Sequence, residues 1–298
     1  MPRPPSGLPE LLDWPTERVA GWVADQPGSL VVGWPFNGTR RWFLGHRQPG
    51  DYLGTLVRRQ AEHHRMLLDH GVGAVLAPSF GELNLARGEE YARHALGGLP
   101  RMASDEVYRE LFGRGVRVRF YGDYRRALAG PEYRPILEAC EEMAASTSGG
   151  DGPLLLFGLF ADDPHEAIAR LAVEFFQKHG RVADRAALIE AYYGAPVPDL
   201  SFYVGFEQPQ LFDVPLVATG REDLYFTLNP TPAVDEAQLR AILYDHLVLR
   251  RTPEAEYEKL SPQAQRRLVQ EGGRRATVGL GRVDPLTGLW RPVLPEVG

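Results

Sequence analysis

Ser29-Leu-Val-Val-Gly-Trp-Pro-Phe-Asn-Gly-Thr-Arg-Arg-Trp-Phe43 begins as an apolar, β-branched run and ends in a turn pair, a hydroxyl, two guanidiniums and two aromatics. The run reads as a buried strand and Asn37-Gly38 as the turn that closes it. Backbone amides released at such a turn, with Arg40 and Arg41 beside them, form a cationic concavity suited to phosphate or diphosphate oxygens. A plain turn carrying solvated arginines fits the same residues equally well. This stretch alone leaves both readings open.

Working outward, residues 51–70 carry Leu53, Leu56, Val57, Leu67 and Leu68 at helical spacing, and Gly71 supplies a stop. Gly73-Ala-Val-Leu-Ala-Pro78 follows as a short buried strand, which completes a βαβ unit. Upstream, the segment from Asp13 to Val23 reads as one short first helix. Downstream, helices are expected near 88–97, 104–113, 132–145, 163–178 and 184–193, with strands at 116–121, 153–160, 200–205 and 224–228. Pro153-Leu-Leu-Leu-Phe-Gly-Leu-Phe160 is almost wholly apolar, as a strand covered on both faces of a parallel sheet must be. Asp163-Pro-His-Glu166 is a helix start, and Asp235 caps a helix reaching about Arg250. The expected fold is α/β: one parallel sheet of about six strands flanked by helices, with ligands outside the carboxyl ends of the strands. Residues 1–250 form that domain and 251–298 a C-terminal extension that packs on it or on a dimer partner. The extension holds a polar helix near 254–271 and an Asp284-Pro-Leu-Thr-Gly288 turn between short strands.

A chain of 298 residues with 44% hydrophobic and 24% charged content buries a sizeable core. Its net charge of −6 argues against a general nucleic-acid or anionic-membrane binder. Of 33 basic residues only Lys178 and Lys259 are lysines, so an arginine here is weak evidence of a role. The single cysteine, Cys140, excludes an intramolecular disulfide and fits a reducing cytoplasm. No apolar run approaches the roughly 20 residues of a membrane span, and the first residues lack the apolar core of a signal peptide, so a soluble cytoplasmic protein is expected.

There is no phosphate-binding G-x-x-x-x-G-K-S/T loop, no G-x-G-x-x-G after the first strand and no G-x-S-x-G elbow. Nucleotide hydrolysis, Rossmann redox chemistry and hydrolase acyl transfer therefore lose support. His63 and His64 are adjacent on a helix, point to different faces and belong to no H-E-x-x-H pattern, so they read as solvated or capping residues rather than metal ligands. What remains is the arginine pair, acids near strand ends (Asp51, Asp123, Asp213, Asp223) and tyrosines at 52, 91, 121 and 124. Guanidiniums fit phosphate oxygens and aromatic faces steady cations, a combination suited to a Mg²⁺-bound diphosphate leaving group beside a carbocation.

Pro35-Phe-Asn-Gly-Thr-Arg-Arg-Trp-Phe43 resembles the Asp-Gly-Asn-x-Arg-x segment of cis-prenyltransferases, the undecaprenyl-diphosphate-synthase fold. It is closer still to the Asp-Gly-Thr-Arg-Arg-Trp-Phe form of the tuberculosinyl-adenosine transferase family, a diterpene-processing branch. The likeness continues in order through Asp51-Tyr52, Arg87-Gly-Glu-Glu-Tyr91, Phe120-Tyr-Gly-Asp-Tyr124, Glu190-Ala-Tyr-Tyr-Gly194, Phe212-Asp-Val-Pro-Leu216, Leu224-Tyr-Phe-Thr227 and Ile242-Leu-Tyr-Asp-His246. The resemblance implies an allylic prenyl diphosphate held by Gly38, Thr39, Arg40 and Arg41, with its hydrocarbon between sheet and helices. It implies that Tyr52 and Tyr91 face the cation, that Asp223 stands where elongating enzymes have the glutamate that assists Mg²⁺, and that the enzyme is a homodimer; Asp51 is a further catalytic candidate beside Asn37, and Asp213 a further metal candidate. Water or a small nucleophile such as a nucleoside would take the cation.

Two departures from the family pattern matter. Elongating cis-prenyltransferases hold isopentenyl diphosphate with two arginines and a serine, where this chain has Val204, Gln210 and Phe212, so chain elongation is not expected. Asn37 stands where the family has its essential aspartate, and a neutral amide binds Mg²⁺ poorly and cannot act as a base. Three accounts follow: the acidic role has moved to Asp51, Asp213 or Asp223; the chain is a non-catalytic binding protein or partner subunit; or the amide is an engineered change that traps a substrate complex.

Overall fold

A computed structural model of the chain describes residues 3–45, 51–81, 84, 86–159, 163–211, 213–273 and 277–294. Phe160, expected at a strand end, and Phe212, expected in the acceptor region, lie outside the described residues.

Six parallel strands form one sheet: β1 (Val31–Gly33), β2 (Ala74–Phe80), β3 (Arg117–Tyr121), β4 (Leu154–Leu159), β5 (Phe202–Phe206) and β6 (Asp223–Thr227). Their order across the sheet is β3-β4-β2-β1-β5-β6. β1 is therefore interior, pairing Val31 with Ala74 on one side and Val32 with Phe202 on the other. All of β4 is buried, as its unbroken apolar run requires.

Helices cover both faces: α1 (Leu8–Asp13), α2 (Thr16–Ala24), α3 (Thr39–Gly45), α4 (Tyr52–Asp69), α5 (Glu89–Leu96), α6 (Gly98–Met102), α7 (Glu106–Gly113), α8 (Tyr124–Ala127), α9 (Arg134–Ser146), α10 (Pro164–His179), α11 (Arg185–Tyr193), α12 (Glu236–Tyr244) and α13 (Pro262–Gly272). One core joins α1, α2, α4 to α7, α9 and α12 to the sheet, and a second lies beneath α10 and α11. Side chains from alternate strand positions feed the two cores; Val32 enters the first and Val31 the second. Among the described residues no helix is long and apolar enough to cross a membrane.

Several local expectations are corrected. The first helix is two, broken at Trp14, because the following proline drives Trp14 to an extended ψ of 142°. The helix from Asp235 leaves α geometry after Tyr244 and continues as a π-turn, Asp245–Leu249. In the extension only Pro262–Gly272 forms the long helix, started by Ser261 as N-cap with proline behind it. The strands β7 (Gly281–Val283) and β8 (Trp290–Pro292) pair antiparallel around the Asp284–Gly288 turn.

Candidate active site

β1 ends at Gly33, and the chain turns tightly, with Asn37 N–H donating to the Pro35 carbonyl at 3.2 Å, before Gly38, where φ is +73°. That left-handed angle suits glycine, and a Cβ there would meet Phe206 Cε1 at 2.7 Å and Pro230 Cβ at 2.8 Å. Thr39 then starts α3, a helix not expected from the sequence: the turn leads into a helix rather than an open loop. Its first-turn amides have no intrahelical acceptor and so lie at the turn with Arg40 and Arg41. The turn is tied down from behind by Thr231. The Asn37 amide N–H donates to Thr231 Oγ1 at 3.2 Å, Thr231 N–H donates to the Asn37 carbonyl at 3.1 Å, and Thr231 Oγ1 donates to the Pro35 carbonyl at 3.2 Å.

The two tyrosines come to this turn. Tyr52 opens α4 and its hydroxyl lies 3.0 Å from Thr39 Oγ1, while its ring meets Phe43 edge-on at 5.0 Å and stacks near His94. Tyr91 on α5 carries the Arg40 guanidinium 5.8 Å and the Arg87 guanidinium 5.1 Å from its ring centroid. Its hydroxyl accepts from Arg87 Nη1 at 3.1 Å. Both guanidiniums lie within the range at which an aromatic face attracts a cation, so the Tyr91 ring is an electron-rich surface beside the turn.

Arg41 is half-buried and donates to Glu207 Oε2 at 2.7 Å; burial holds its guanidinium below the ordinary value. Glu207 also pairs with Arg291 from β8. Glu207 and Thr231 escape a sequence reading because their partners lie 166 and 194 residues away. The one local sign of Glu207 is conformational, a φ of +55° in a loop that also holds Asp213 at +60° and Leu216 at +65°.

The acids are not gathered at the turn. Asp51 caps α4, accepting from Leu53 N–H, and is exposed and ion-paired with Arg101. Asp223 lies at the opening residue of β6, the end of the sheet away from the turn, with His246 Nδ1 at 2.6 Å and Arg250 Nη1 at 3.2 Å. Asp213 is on the other face, where Tyr121 Oη donates to its carbonyl at 3.0 Å and burial pushes its carboxyl up to about 6. Its carboxylate interacts with Tyr121, Tyr192 and Tyr193, whose hydroxyls burial raises in turn. Asp123 is paired with Arg170 at 2.6 Å. Among the described residues no three histidine, cysteine or acidic side chains form a metal-binding group. With an amide at 37 and Glu207 held by two arginines, the donors at the turn do not make a Mg²⁺ site; the charge they offer a diphosphate is that of Arg40 and Arg41.

His63 and His64 are neither solvated nor capping. Both are buried, because α4 is packed against α7 and β4 on one side and against the Thr231–Ala233 turn on the other. Burial, aided by the charge of Arg59, lowers His63 to about 4, and burial lowers His64 to about 3, so both rings are neutral at physiological pH.

No protein-family model matches the chain. It is 35% identical over 257 residues to the tuberculosinyl adenosine transferase of Mycobacterium tuberculosis (strain CDC 1551 / Oshkosh), covering 85% of this chain and 86% of that protein. The chain belongs to the tuberculosinyl adenosine transferase family. A (+)-kolavelool synthase of Herpetosiphon aurantiacus is 30% identical over 175 residues, 57% of this chain and 58% of that one. Both relatives are enzymes, and the chain is a member of an enzyme family of prenyl transferases and terpene synthases. Among solved structures, a lavandulyl diphosphate synthase from Lavandula x intermedia in complex with dimethylallyl diphosphate superposes with TM-score 0.59 at 16% identity, over 76% of this chain and 96% of that one. A probable undecaprenyl diphosphate synthase from Campylobacter jejuni gives TM-score 0.57 at 15% identity, over 78% and 100%. At those identities the likeness is one of fold: this tuberculosinyl adenosine transferase relative has the cis-prenyltransferase architecture.

Proposed function

We propose that the chain ionises an allylic prenyl or terpenyl diphosphate and releases pyrophosphate. The carbocation passes to water or to a small nucleophile of nucleoside type, or is quenched by proton loss. The observation that carries this reading is the meeting of the turn with two phenol rings: Thr39 on Tyr52 and Arg40 over Tyr91. Arg40, Arg41 and the turn amides face the charge that grows on the departing diphosphate, and preorganised charge of this kind lowers the barrier to ionisation. Tyr52 and Tyr91 steady the cation formed beside it. Val204 is buried inside β5, which supports a one-diphosphate enzyme rather than a chain elongator. The single cysteine, Cys140, is free, which suits the cytoplasmic location that belongs to this reading.

The test is to incubate the protein with geranylgeranyl and shorter allylic diphosphates in the presence of Mg²⁺ and measure pyrophosphate and organic products. Turnover by the natural chain supports the proposal, and light scattering then tests the expected homodimer. No turnover by the natural chain, with activity gained in Asn37→Asp, favours the second reading: a prenyl-diphosphate-binding pseudoenzyme or partner subunit. Asn37 is the observation behind that reading, and recovery of a stable hetero-oligomer with an active homologue would establish it.

A further inference from the structure

Glu207 follows directly on β5 and is a buried carboxylate, 7% exposed. Its φ of +55° lies in the left-handed region, where a residue carrying a Cβ is strained, so something must hold it there. The backbone is held by its own N–H, which donates to the Thr227 carbonyl of β6 at 2.9 Å. The side chain is held by two guanidiniums, one on each oxygen: Arg41 Nη1 donates to Oε2 at 2.7 Å, and Arg291 Nη1 donates to Oε1.

The two arginines reach this carboxylate from opposite ends of the chain, and only one of them belongs to the turn. Arg41 is on α3, and its guanidinium also lies 4.5 Å from the ring centroid of Phe206, the side chain that a Cβ on Gly38 would strike. Arg291 is on β8. The chain leading into β7 approaches the same segment, since a Cβ on Gly279 would meet Pro209 Cγ at 3.7 Å.

Arg41 and Glu207 by themselves make a neutral pair, which attracts a diphosphate weakly. Arg291 leaves the three groups with one net positive charge. It also changes what it costs Arg41 to turn toward another anion. A buried carboxylate stripped of its sole cation is strongly penalised, whereas Glu207 keeps Arg291 when Arg41 moves.

We propose that Arg291 is a positioning residue for the substrate: by sharing Glu207 it releases Arg41 to the diphosphate, so that strand β8 sets the affinity of the turn. The inference rests on the reading under Proposed function and deepens it, by naming the residues that tune one of its diphosphate ligands. Arg291 acts through Glu207 and Arg41, and its side chain stays on Glu207 throughout.

The experiment uses the full chain and inorganic pyrophosphate, whose binding is read by calorimetry, with pyrophosphate release from geranylgeranyl diphosphate measured beside it. Arg291→Met is expected to weaken pyrophosphate binding about tenfold, and Arg291→Lys, which keeps the charge, to hold it within about threefold. In a Glu207→Gln background no buried charge remains to be compensated, and Arg291→Met is expected to change binding by less than about twofold. An arginine with a merely structural role would weaken binding alike in both backgrounds; that result, or an unchanged affinity in Arg291→Met, overturns the proposal. Should Glu207→Gln fail to fold, hydrogen exchange of the natural chain decides. A ligand that the Arg291 pair favours must in turn favour that pair, so pyrophosphate should slow exchange in β7 and β8, and unchanged exchange overturns the proposal. A natural chain that binds pyrophosphate but releases none from any allylic diphosphate removes the reading under Proposed function, while the variants still decide this inference. One that binds no pyrophosphate removes both.

Discussion

Asp213→Asn should stabilise the protein, and by an amount that depends on pH. The carboxyl is raised from 3.8 to about 6 by burial, with no hydrogen bond to the ionised form to offset it. Below the unfolded value both states are protonated and the group contributes nothing. As pH rises from there to the folded value, the unfolded chain ionises first and the folded state loses stability progressively; above it the full penalty is present. A shift of about two units at 1.36 kcal/mol each gives a penalty of about 3 kcal/mol. The amide removes that charge, and asparagine also tolerates the backbone φ of +60° at this position. Urea unfolding from about pH 4 to pH 8 should show the variant and the natural chain close together at the acid end and diverging by up to about 3 kcal/mol at the alkaline end. A gap that does not change with pH, or a variant less stable at the alkaline end, would refute the account of Asp213 as a buried, unsupported carboxylate.

Gly38→Ala should cost about 3 kcal/mol, combining a left-handed angle with Cβ contacts to Phe206 and Pro230, and should abolish diphosphate binding; an unaltered thermal melt would contradict this. Tyr52→Phe removes the hydroxyl beside Thr39, worth about 1 kcal/mol, and is expected to slow pyrophosphate release about fivefold while lowering the melting temperature by only about 2 °C. Arg240→Met should destabilise by about 3 kcal/mol in chemical denaturation, because its buried guanidinium donates to the carbonyls of Leu11, Leu12 and Trp14 and pairs with Glu236.

The strands were legible because a sheet covered on both faces writes itself as apolar runs, and residues 73–78 and 153–159 could be little else. The turn at Asn37-Gly38 was legible for the same kind of local reason, the steric freedom of glycine. α3 was not: Thr39-Arg-Arg-Trp-Phe has no cap signal or apolar stripe, and the helix is held by packing against the Thr231–Ala233 turn. Acids read as strand-end residues separated only in three dimensions, since proximity to a strand in sequence does not say which end of the sheet a carboxylate reaches. Asp223 begins its strand and faces His246 and Arg250. His63 and His64 misled because polarity predicts exposure, whereas α4 is enclosed over a wide arc by elements the local sequence does not mention.

The interior position of β1 has a consequence for how the protein is made. Its first neighbour, β2, is close in sequence, but the second, β5, is synthesised some 170 residues later, as the contact from Val31 N–H to Ser201 Oγ measures. Until residues 202–206 emerge, one side of the nascent strand is an open edge able to pair with another chain. Folding should accordingly be slow, as expected for parallel pairings of long sequence separation, and fragments ending before β5 should aggregate while the full chain remains dispersed.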